Sequence, residues 1–232
     1  LGVEIGVQKV PSAQKRIIEL ANERGNLVVT ATQMLESMIS SPRPTRAEAS
    51  DVANAIFDGT DAVMLSAETA VGEYPVETVR TIAEIIREAE QHEGEWGHGS
   101  EQVALQRAPV TALALARAAR ELAQTLEAAA IAVFTRSGRN VRLVSKTRPP
   151  VPIMAFTSDA ATYGRMALFR GVVAFLVPRA MTLEEMTRSA EQVLLQSSGM
   201  GVGDEVVIIA GIPIADMRPA NIVLLHTIGG DI

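Results

Sequence analysis

The sequence contains no cysteine, which excludes a disulfide framework, a thiolate nucleophile and a thiolate metal site. It has no run of about 18 apolar residues, so no transmembrane helix is predicted, and residues 1–20 lack the layout of a signal peptide. Basic residues are not in excess, because 21 of them against 27 acidic ones give a formal net charge of −6. These absences argue against nucleic acid or a membrane as the main partner, and we expect a cytoplasmic protein.

The composition is that of an ordinary soluble globular protein, with 47% of the 232 residues apolar and 21% charged. This length suits one large domain or two modest ones. Residues 92–106 are polar, glycine-rich and aperiodic, and we predict that they link a first domain, 1–91, to a second, 107–232. His92 and His98 lie in this stretch, but without the carboxylate or cysteine spacing of a metal site they favour a solvated linker.

The first domain has two short apolar runs, at 27–31 and 62–65, which are typical of fully buried parallel strands. Helices are predicted at 11–24, at 47–57 and after Pro75. Buried strands need neighbours on both sides, which residues 1–91 do not supply, and a (β/α)8 barrel takes about 250 residues. The first domain is therefore expected to be the closing part of a barrel.

The second domain alternates strands and helices more regularly. Strands are predicted at 131–134, 151–156, 172–176, 204–210 and 221–226, and helices at 107–127, 139–146, about 159–168 and after a capping-box pattern at Thr182 and Glu185. The last two strands lie too close together for a crossover helix, so the final strand is expected to be antiparallel. Alternating βα units predict a three-layer α/β domain with a five-stranded, mostly parallel sheet.

Several motifs follow one another in the first domain, namely Thr30–Met38, Arg43–Glu48, Ser50–Ala55, Met64–Ala70 and Gly72–Pro75. In this order they resemble the signature of pyruvate kinase. The resemblance is strong over 1–91 and moderate over 130–232. It implies the closing βα units of a TIM (β/α)8 barrel, followed by the C-terminal regulatory α/β domain of that family.

The resemblance implies part of an enzyme that transfers a phosphoryl group from phosphoenolpyruvate to ADP, giving pyruvate and ATP in glycolysis. It also implies magnesium and potassium in the full-length enzyme, and a homo-oligomer, which is a tetramer in the family. There, the stretch equivalent to Leu1–Ile5 directly follows a Gly-Asp whose aspartate binds the catalytic magnesium, and the phosphate-clamping lysine also lies before it. We therefore expect an interior segment of a longer chain that does not turn over substrate alone. No metal ligand is assigned, since Glu4, Glu36 and Glu68 match no metal position of the family.

Thr32 is the candidate catalytic and substrate-binding residue. It follows the strand predicted at 27–31, at the end where barrel enzymes place their chemistry. In the family, the threonine of this Ala-Thr-Gln contacts phosphoenolpyruvate beside its reacting carbon, where a hydroxyl can hydrogen-bond a carboxylate or relay a proton. A compatible alternative is that Thr32 caps a helix beginning at Gln33.

Arg43 and Arg46 are the candidate subunit-interface residues. In the family this stretch lies at the contact between the barrels of neighbouring subunits, close to the active site. The planar guanidinium group suits carboxylate pairing at such an interface. The alternative is a surface ion-pair cluster.

A second candidate site, for the phosphate of an effector, consists of Thr135, Arg136, Ser137, Gly138, Arg139 and Asn140. The stretch follows a predicted strand and opens a predicted helix, so that backbone N–H groups, hydroxyls and two guanidinium groups converge. In the family, the equivalent loop holds a phosphate of a sugar-phosphate activator, which implies a phosphorylated metabolite here. In 211–221, however, Asp216 would repel a second phosphate and Arg218 would attract one, which makes fructose 1,6-bisphosphate a doubtful ligand.

Two alternatives to a catalytic chain remain open. One is a free-standing module that binds a phosphorylated ligand for regulation, and the other is a structural oligomerisation element. The intact mass and N-terminal sequence of the natural product would separate them. A Gly-Asp directly before Leu1 would indicate the enzyme, and a native start near Leu1 would indicate a module.

Overall fold

The computed structural model describes residues 2–31, 33–92, 110–197, 199–214 and 219–230. The chain divides into two compact units, Leu1–Ala104 and Leu105–Ile232. The linker predicted at 92–106 lies outside the described residues except for His92, the last residue before the gap at 93–109. None of the helices described is long and apolar enough to cross a membrane.

The first unit contains two short parallel strands and several helices. The strands are β1 (Val29–Thr30) and β2 (Ala62–Val63), and the α-helices are α1 (Gly2–Ile5), α2 (Val10–Glu23), α3 (Arg46–Phe57), α4 (Ala67–Ala70) and α5 (Pro75–Gln91), with 3-10 helices at Val7–Lys9 and Glu36–Ile39. Val29 pairs with Ala62 and Thr30 with Val63. The predicted strands therefore exist, but each is shorter than its apolar run. The helix considered at Gln33 was wrong, because the first helical residue after β1 is Glu36.

Local sequence signals explain where the longer helices of this unit begin. Pro11 and Pro75 occupy the first turns of α2 and α5, where a missing N–H group costs nothing. Thr45 and Glu48 form a complete capping box at the start of α3. The core of the unit joins buried residues after β1 with the inner faces of α3 and α5, and comprises Met34, Leu35, Met38, Val52, Ala55 and Ile82.

The second unit is a five-stranded sheet flanked by helices. Its strands are β3 (Ala130–Phe134), β4 (Ile153–Thr157), β5 (Val172–Leu176), β6 (Glu205–Ala210) and β7 (Ile222–Thr227), and its helices are α6 (Val110–Thr125), α7 (Arg139–Lys146), α8 (Ala160–Met166) and α9 (Leu183–Ser197). The strand order is β5-β4-β3-β6-β7, with only β7 antiparallel to its neighbour. The predicted sheet and its antiparallel final strand are confirmed.

The order of the strands explains the three layers. The chain moves outward from β3 through β4 to β5 and then returns to β6 on the other side of β3. Because crossover connections are right-handed, this reversal brings α9 onto the face opposite α7 and α8. Met186, Ala190 and Leu194 of α9 belong to the buried cluster that includes alternate residues of β3, β4 and β6. The reversal also creates a switch point at the carboxyl ends of β3 and β6, where open α/β sheets bind ligands.

Candidate functional site

A cavity of about 680 Å³ lies in the second unit at the carboxyl ends of the strands. Its walls come from the segments that follow β3, β4, β5 and β6, together with one side of α9 and the first turn of α6. This volume is within the range of small-molecule sites in proteins. Five of the six predicted effector-site residues line it, Gly138 being the exception.

The loop after β3 is a tight turn that requires glycine. The Thr135 N–H group donates to the Phe156 carbonyl at 2.9 Å, and Thr135 Oγ1 accepts from the Gly138 N–H group at 3.0 Å. Gly138 has a φ of 75°, in the left-handed region that residues with a side chain adopt only at a cost. A Cβ atom there would meet Met166 and Thr162 at 3.6 Å, an ordinary contact. The backbone conformation rather than crowding therefore demands glycine.

The turn directs the start of α7 towards the cavity. No described side chain caps this helix, and the N–H group of its N-cap residue, Gly138, is bound to Thr135. The following N–H groups, of Arg139 and Asn140, belong to the first turn, which carries the positive end of the helix dipole. An anion is the ligand that such a helix start favours.

Three guanidinium groups line the cavity, those of Arg136, Arg139 and Arg179, and no acidic residue is among its described lining residues. Arg136 and Arg139 are exposed to solvent. The nearby carboxylate of Asp159 caps α8 by accepting from the Thr162 N–H group at 2.7 Å. Hydrogen bonds from Thr162, and then the charges of Arg165 and Arg136, lower the pKa of Asp159.

Hydrogen bonds also hold the walls of the cavity. The Thr162 hydroxyl donates to the Arg136 carbonyl at 2.8 Å, which ties the loop after β3 to α8. On the wall that follows β6, Asn221 accepts from the Ile212 N–H group at 2.7 Å and donates to the Ile212 carbonyl at 2.8 Å. This clamp closes the base of the loop after β6. Asp216 and Arg218, weighed above for a second phosphate, lie outside the described residues.

The other candidate site follows β1, but Thr32 itself lies outside the described residues. Nearby, the buried carboxylate of Glu68 accepts from the Leu35 N–H group at 3.1 Å and from the Ser66 N–H group at 2.7 Å. It thus joins the segment after β1 to the segment after β2. A Cβ atom at Gly72 would lie 2.5 Å from the Glu68 carbonyl oxygen, so only glycine fits this turn. The structure assigns Glu68 a role in holding this turn together.

A second carboxylate, Glu48, holds the far end of the segment after β1. Glu48 accepts from the N–H and hydroxyl groups of Ser37 at 2.7 and 2.5 Å, and from those of Thr45 at 2.7 and 2.8 Å. Burial alone would raise the pKa of Glu48, but these hydrogen bonds outweigh it and lower the pKa to about 2. The 3-10 helix and the start of α3 are therefore fixed to one another.

Arg43 and Arg46 lie between Ser37 and Glu48 in the sequence, and both are exposed. Within the described part of the chain, neither forms an ion pair. Arg46 is the first residue of α3, where a positive charge opposes the helix dipole. Glu4 and Glu36, which were not assigned as metal ligands, are also exposed. Among the described residues, no group of three acidic or histidine residues could hold a metal ion.

Comparisons with known proteins agree with this architecture. The family model of the pyruvate kinase barrel domain matches residues 1–79, and that of the pyruvate kinase alpha/beta domain matches residues 113–226. The chain belongs to the pyruvate kinase family. Both the resemblance noted in the sequence and the expected fold, the closing units of a barrel followed by an α/β domain, are confirmed.

Individual pyruvate kinases match nearly the whole chain. The enzyme of Mycobacterium tuberculosis (strain H37Rv) is 41% identical over all 232 residues, which cover 48% of its length. That of Geobacillus stearothermophilus is 45% identical over 228 residues, covering 98% of the chain and 39% of the relative. A crystal structure of a pyruvate kinase from Cryptosporidium parvum superposes with a TM-score of 0.85 at 33% identity, over 98% of this chain and 45% of that one. The chain thus spans about half, or less, of the length of the relatives it matches.

Proposed function

We propose that this chain is part of an enzyme that transfers a phosphoryl group from phosphoenolpyruvate to ADP, with residue Thr32 in contact with phosphoenolpyruvate. The observation that carries the proposal is the ordered match to both domains of the pyruvate kinase family. Thr32 falls within the barrel match and follows β1, at the end of a barrel strand where catalytic residues belong.

Phosphoryl transfer also needs bound metal ions and a cation at the transferred group. Among the described residues, no group of three acidic or histidine side chains could hold a metal ion, so no step through a metal is assigned to them. The proposal places both ions on parts of the full-length enzyme beyond these 232 residues. It follows that the 232-residue chain, expressed alone, has no pyruvate kinase turnover.

An assay that couples pyruvate formation to lactate dehydrogenase tests this directly, with magnesium, potassium, phosphoenolpyruvate and ADP supplied. We expect no rate above background from the 232-residue chain. A magnesium-dependent rate that Thr32→Ala removes would contradict the proposal. In the longer protein isolated from its source, the same substitution is expected to lower turnover strongly, and an unchanged rate would remove Thr32 from the chemistry.

We further propose that the cavity of the second unit binds the phosphate of a regulatory metabolite. Support comes from the exposed guanidinium groups of Arg136 and Arg139 and from the start of α7 beside them. Calorimetric titration of the 232-residue chain with ribose 5-phosphate, glucose 6-phosphate, AMP and fructose 1,6-bisphosphate tests this. Arg139→Ala is expected to weaken binding, while Arg142→Ala, on the same helix but not on the cavity wall, serves as the control.

We propose a cytoplasmic homo-oligomer in which Arg43 and Arg46 pair with carboxylates of a neighbouring subunit, since both are exposed and form no ion pair with a described residue of their own chain. The proposed organisation is a barrel part at 1–91, a linker at 92–106 and a regulatory domain at 107–232. Light scattering of the wild type and of Arg43→Glu tests the interface.

One observation favours a second candidate function, a module that binds a phosphorylated ligand without catalysis. Every described lining residue of the cavity lies between Thr111 and Asn221, and none of them belongs to 1–91. The intact mass and N-terminal sequence of the natural protein distinguish the two functions. A chain that begins near Leu1 supports the module, and a longer one supports the enzyme.

A further inference from the structure

The buried carboxylate of Glu68 joins the two segments that follow the strands of the first unit. Glu68 is only 3% exposed, and each of its two oxygens accepts one backbone N–H group. Oε1 accepts from Leu35, in the segment after β1, at 3.1 Å, and Oε2 accepts from Ser66, in the segment after β2, at 2.7 Å. Because both donors belong to the main chain, this carboxylate fixes the course of the backbone in both segments.

The segment after β1 that Glu68 holds contains Thr32, the proposed contact of phosphoenolpyruvate, in its sequence. On the strand side, the Thr30 carbonyl accepts from the Met64 N–H group at 3.0 Å, which continues the pairing of β1 with β2. On the other side, Leu35 is fully buried and its N–H group is bound to Glu68. The four residues between Thr30 and Leu35 are therefore anchored at both ends, and Glu68 supplies one of the two anchors.

The turn that carries Glu68 is itself held in place. The Gly72 N–H group donates to the Ala67 carbonyl at 2.9 Å and closes the turn at the end of α4. The Glu73 N–H group donates to the Ile39 carbonyl at 2.8 Å, which is a second cross-link to the segment after β1. A residue that positions another needs a rigid support of this kind.

Stability alone does not explain a carboxylate at this position. Within the described ranges no cation pairs with Glu68, and burial of a carboxylate costs free energy that its hydrogen bonds must offset. A neutral acceptor could satisfy the two N–H groups at a smaller cost. A charged acceptor forms shorter and stronger hydrogen bonds, which are useful where the backbone must keep one position.

We propose that Glu68 is a positioning residue for the phosphoryl-transfer reaction, because its carboxylate holds the segment from Thr30 to Leu35 so that Thr32 meets phosphoenolpyruvate in the reactive geometry. The inference rests on the proposed function, since it needs Thr32 to contact that substrate. Glu68 acts through Thr32 and not by a contact of its own with the substrate. A displacement of about 1 Å in a group that orients a substrate costs on the order of a hundredfold in rate.

Glu68→Gln tests the anchor in the 232-residue chain. The amide NH2 group replaces one of the two oxygens, so either the Leu35 or the Ser66 N–H group loses its acceptor, and the remaining bond loses its charge. Hydrogen exchange followed by mass spectrometry is expected to be faster in peptides covering residues 31–39, and unchanged exchange there would overturn the anchoring. Glu73→Gln is the matched control, because Glu73 lies after the same turn with its side chain exposed.

Steady-state kinetics of the full-length enzyme test whether the anchor serves the reaction. We expect Glu68→Gln to lower kcat/KM for phosphoenolpyruvate by about ten- to a hundredfold and to raise the KM for this substrate, while the KM for ADP changes by less than about twofold. A smaller fraction of folded enzyme would lower kcat alone and leave both KM values unchanged. Glu73→Gln is expected to keep wild-type kinetics. If Glu68→Gln does not fold, Glu68→Asp replaces it, because the shorter side chain keeps the charge but cannot reach both N–H groups.

A double-mutant cycle tests whether Glu68 acts through Thr32. Thr32→Ala removes the hydroxyl group that Glu68 is proposed to position, so little is left for the second substitution to disturb. In that background, Glu68→Gln is expected to lower kcat/KM by less than about threefold. Two residues that acted independently would instead show the full effect of each substitution in the double variant.

The outcomes separate this inference from the proposed function. If the full-length enzyme forms no pyruvate, or if Thr32→Ala leaves its rate unchanged, the proposed function fails and the inference fails with it. If Thr32→Ala lowers turnover but substitution of Glu68 leaves kcat/KM unchanged or lowers kcat alone, the positioning role is overturned and the proposed function stands. The same holds if the effects of the two substitutions are additive.

Discussion

Glu48 offers the sharpest test of how the segment after β1 is held. Its two carboxylate oxygens accept four hydrogen bonds from Ser37 and Thr45. In Glu48→Gln, the amide NH2 group replaces one of the two oxygens. Either the Ser37 N–H group, which donates to Oε1, or the Thr45 N–H group, which donates to Oε2, then loses its acceptor. The charge that strengthens these bonds is lost as well. We expect the 3-10 helix and α3 to loosen from one another.

The lowered pKa of Glu48 sets the size of the expected loss of stability. A fall from the usual 4.5 to about 2 corresponds to at most about 3.4 kcal/mol of stabilisation above pH 4.5. Because the side chain is partly exposed, solvent screening reduces this, and we expect Glu48→Gln to cost about 1–2 kcal/mol at pH 7. The pKa of the folded state is lowered, so the contribution is present above pH 4.5 and disappears as the pH falls towards 2. At pH 3 less than about half of it remains.

Hydrogen exchange followed by mass spectrometry measures this locally, through peptides that cover residues 33–57. The free energy of opening in these peptides is expected to fall in Glu48→Gln at pH 7 and to differ much less from wild type at pH 3. Glu36→Gln is the control, because Glu36 is exposed on the adjacent 3-10 helix. An equal loss at both pH values, or none at pH 7, would refute the role assigned to the charge.

The sequence predicted the second unit well because its signals are local. Helix 139–146 and strand 172–176 have the predicted bounds, since each element has a clear apolar pattern between turn residues. In the first unit, the apolar runs at 27–31 and 62–65 marked the positions of the strands but not their lengths. The extent of a strand depends on its partners, and β1 and β2 pair only with each other among the described strands, over two residues each.

In the candidate sites, too, features made of contiguous residues could be predicted, whereas features made by the fold could not. The loop from Thr135 to Asn140 could be identified because its groups are contiguous between a strand and a helix. Ala210 and Asn221, which also line the cavity, could not be identified, because their relation to that loop depends on the strand order and on the register of β6 beside β3. Glu68 attracted attention as a carboxylate, yet its backbone partners, Leu35 and Ser66, could be recognised only in the folded chain.

Three further substitutions test the sites. Arg139→Ala should weaken ribose 5-phosphate binding about tenfold in calorimetry, because a charge-assisted contact contributes roughly 1.5–3 kcal/mol; unchanged affinity would exclude it from the site. Asn221→Ala should speed amide exchange at Ile212 by removing both clamping bonds. Gly72→Ala should destabilise the first unit by about 1–3 kcal/mol, because its Cβ atom would lie 2.5 Å from the Glu68 carbonyl oxygen, a backbone atom that no side-chain rotation can move. Faster exchange in peptides covering residues 64–75 would report this loss. Gly164→Ala is the control, because its Cβ atom would meet nothing within 4 Å. Unchanged exchange at 64–75 in Gly72→Ala would refute the close approach.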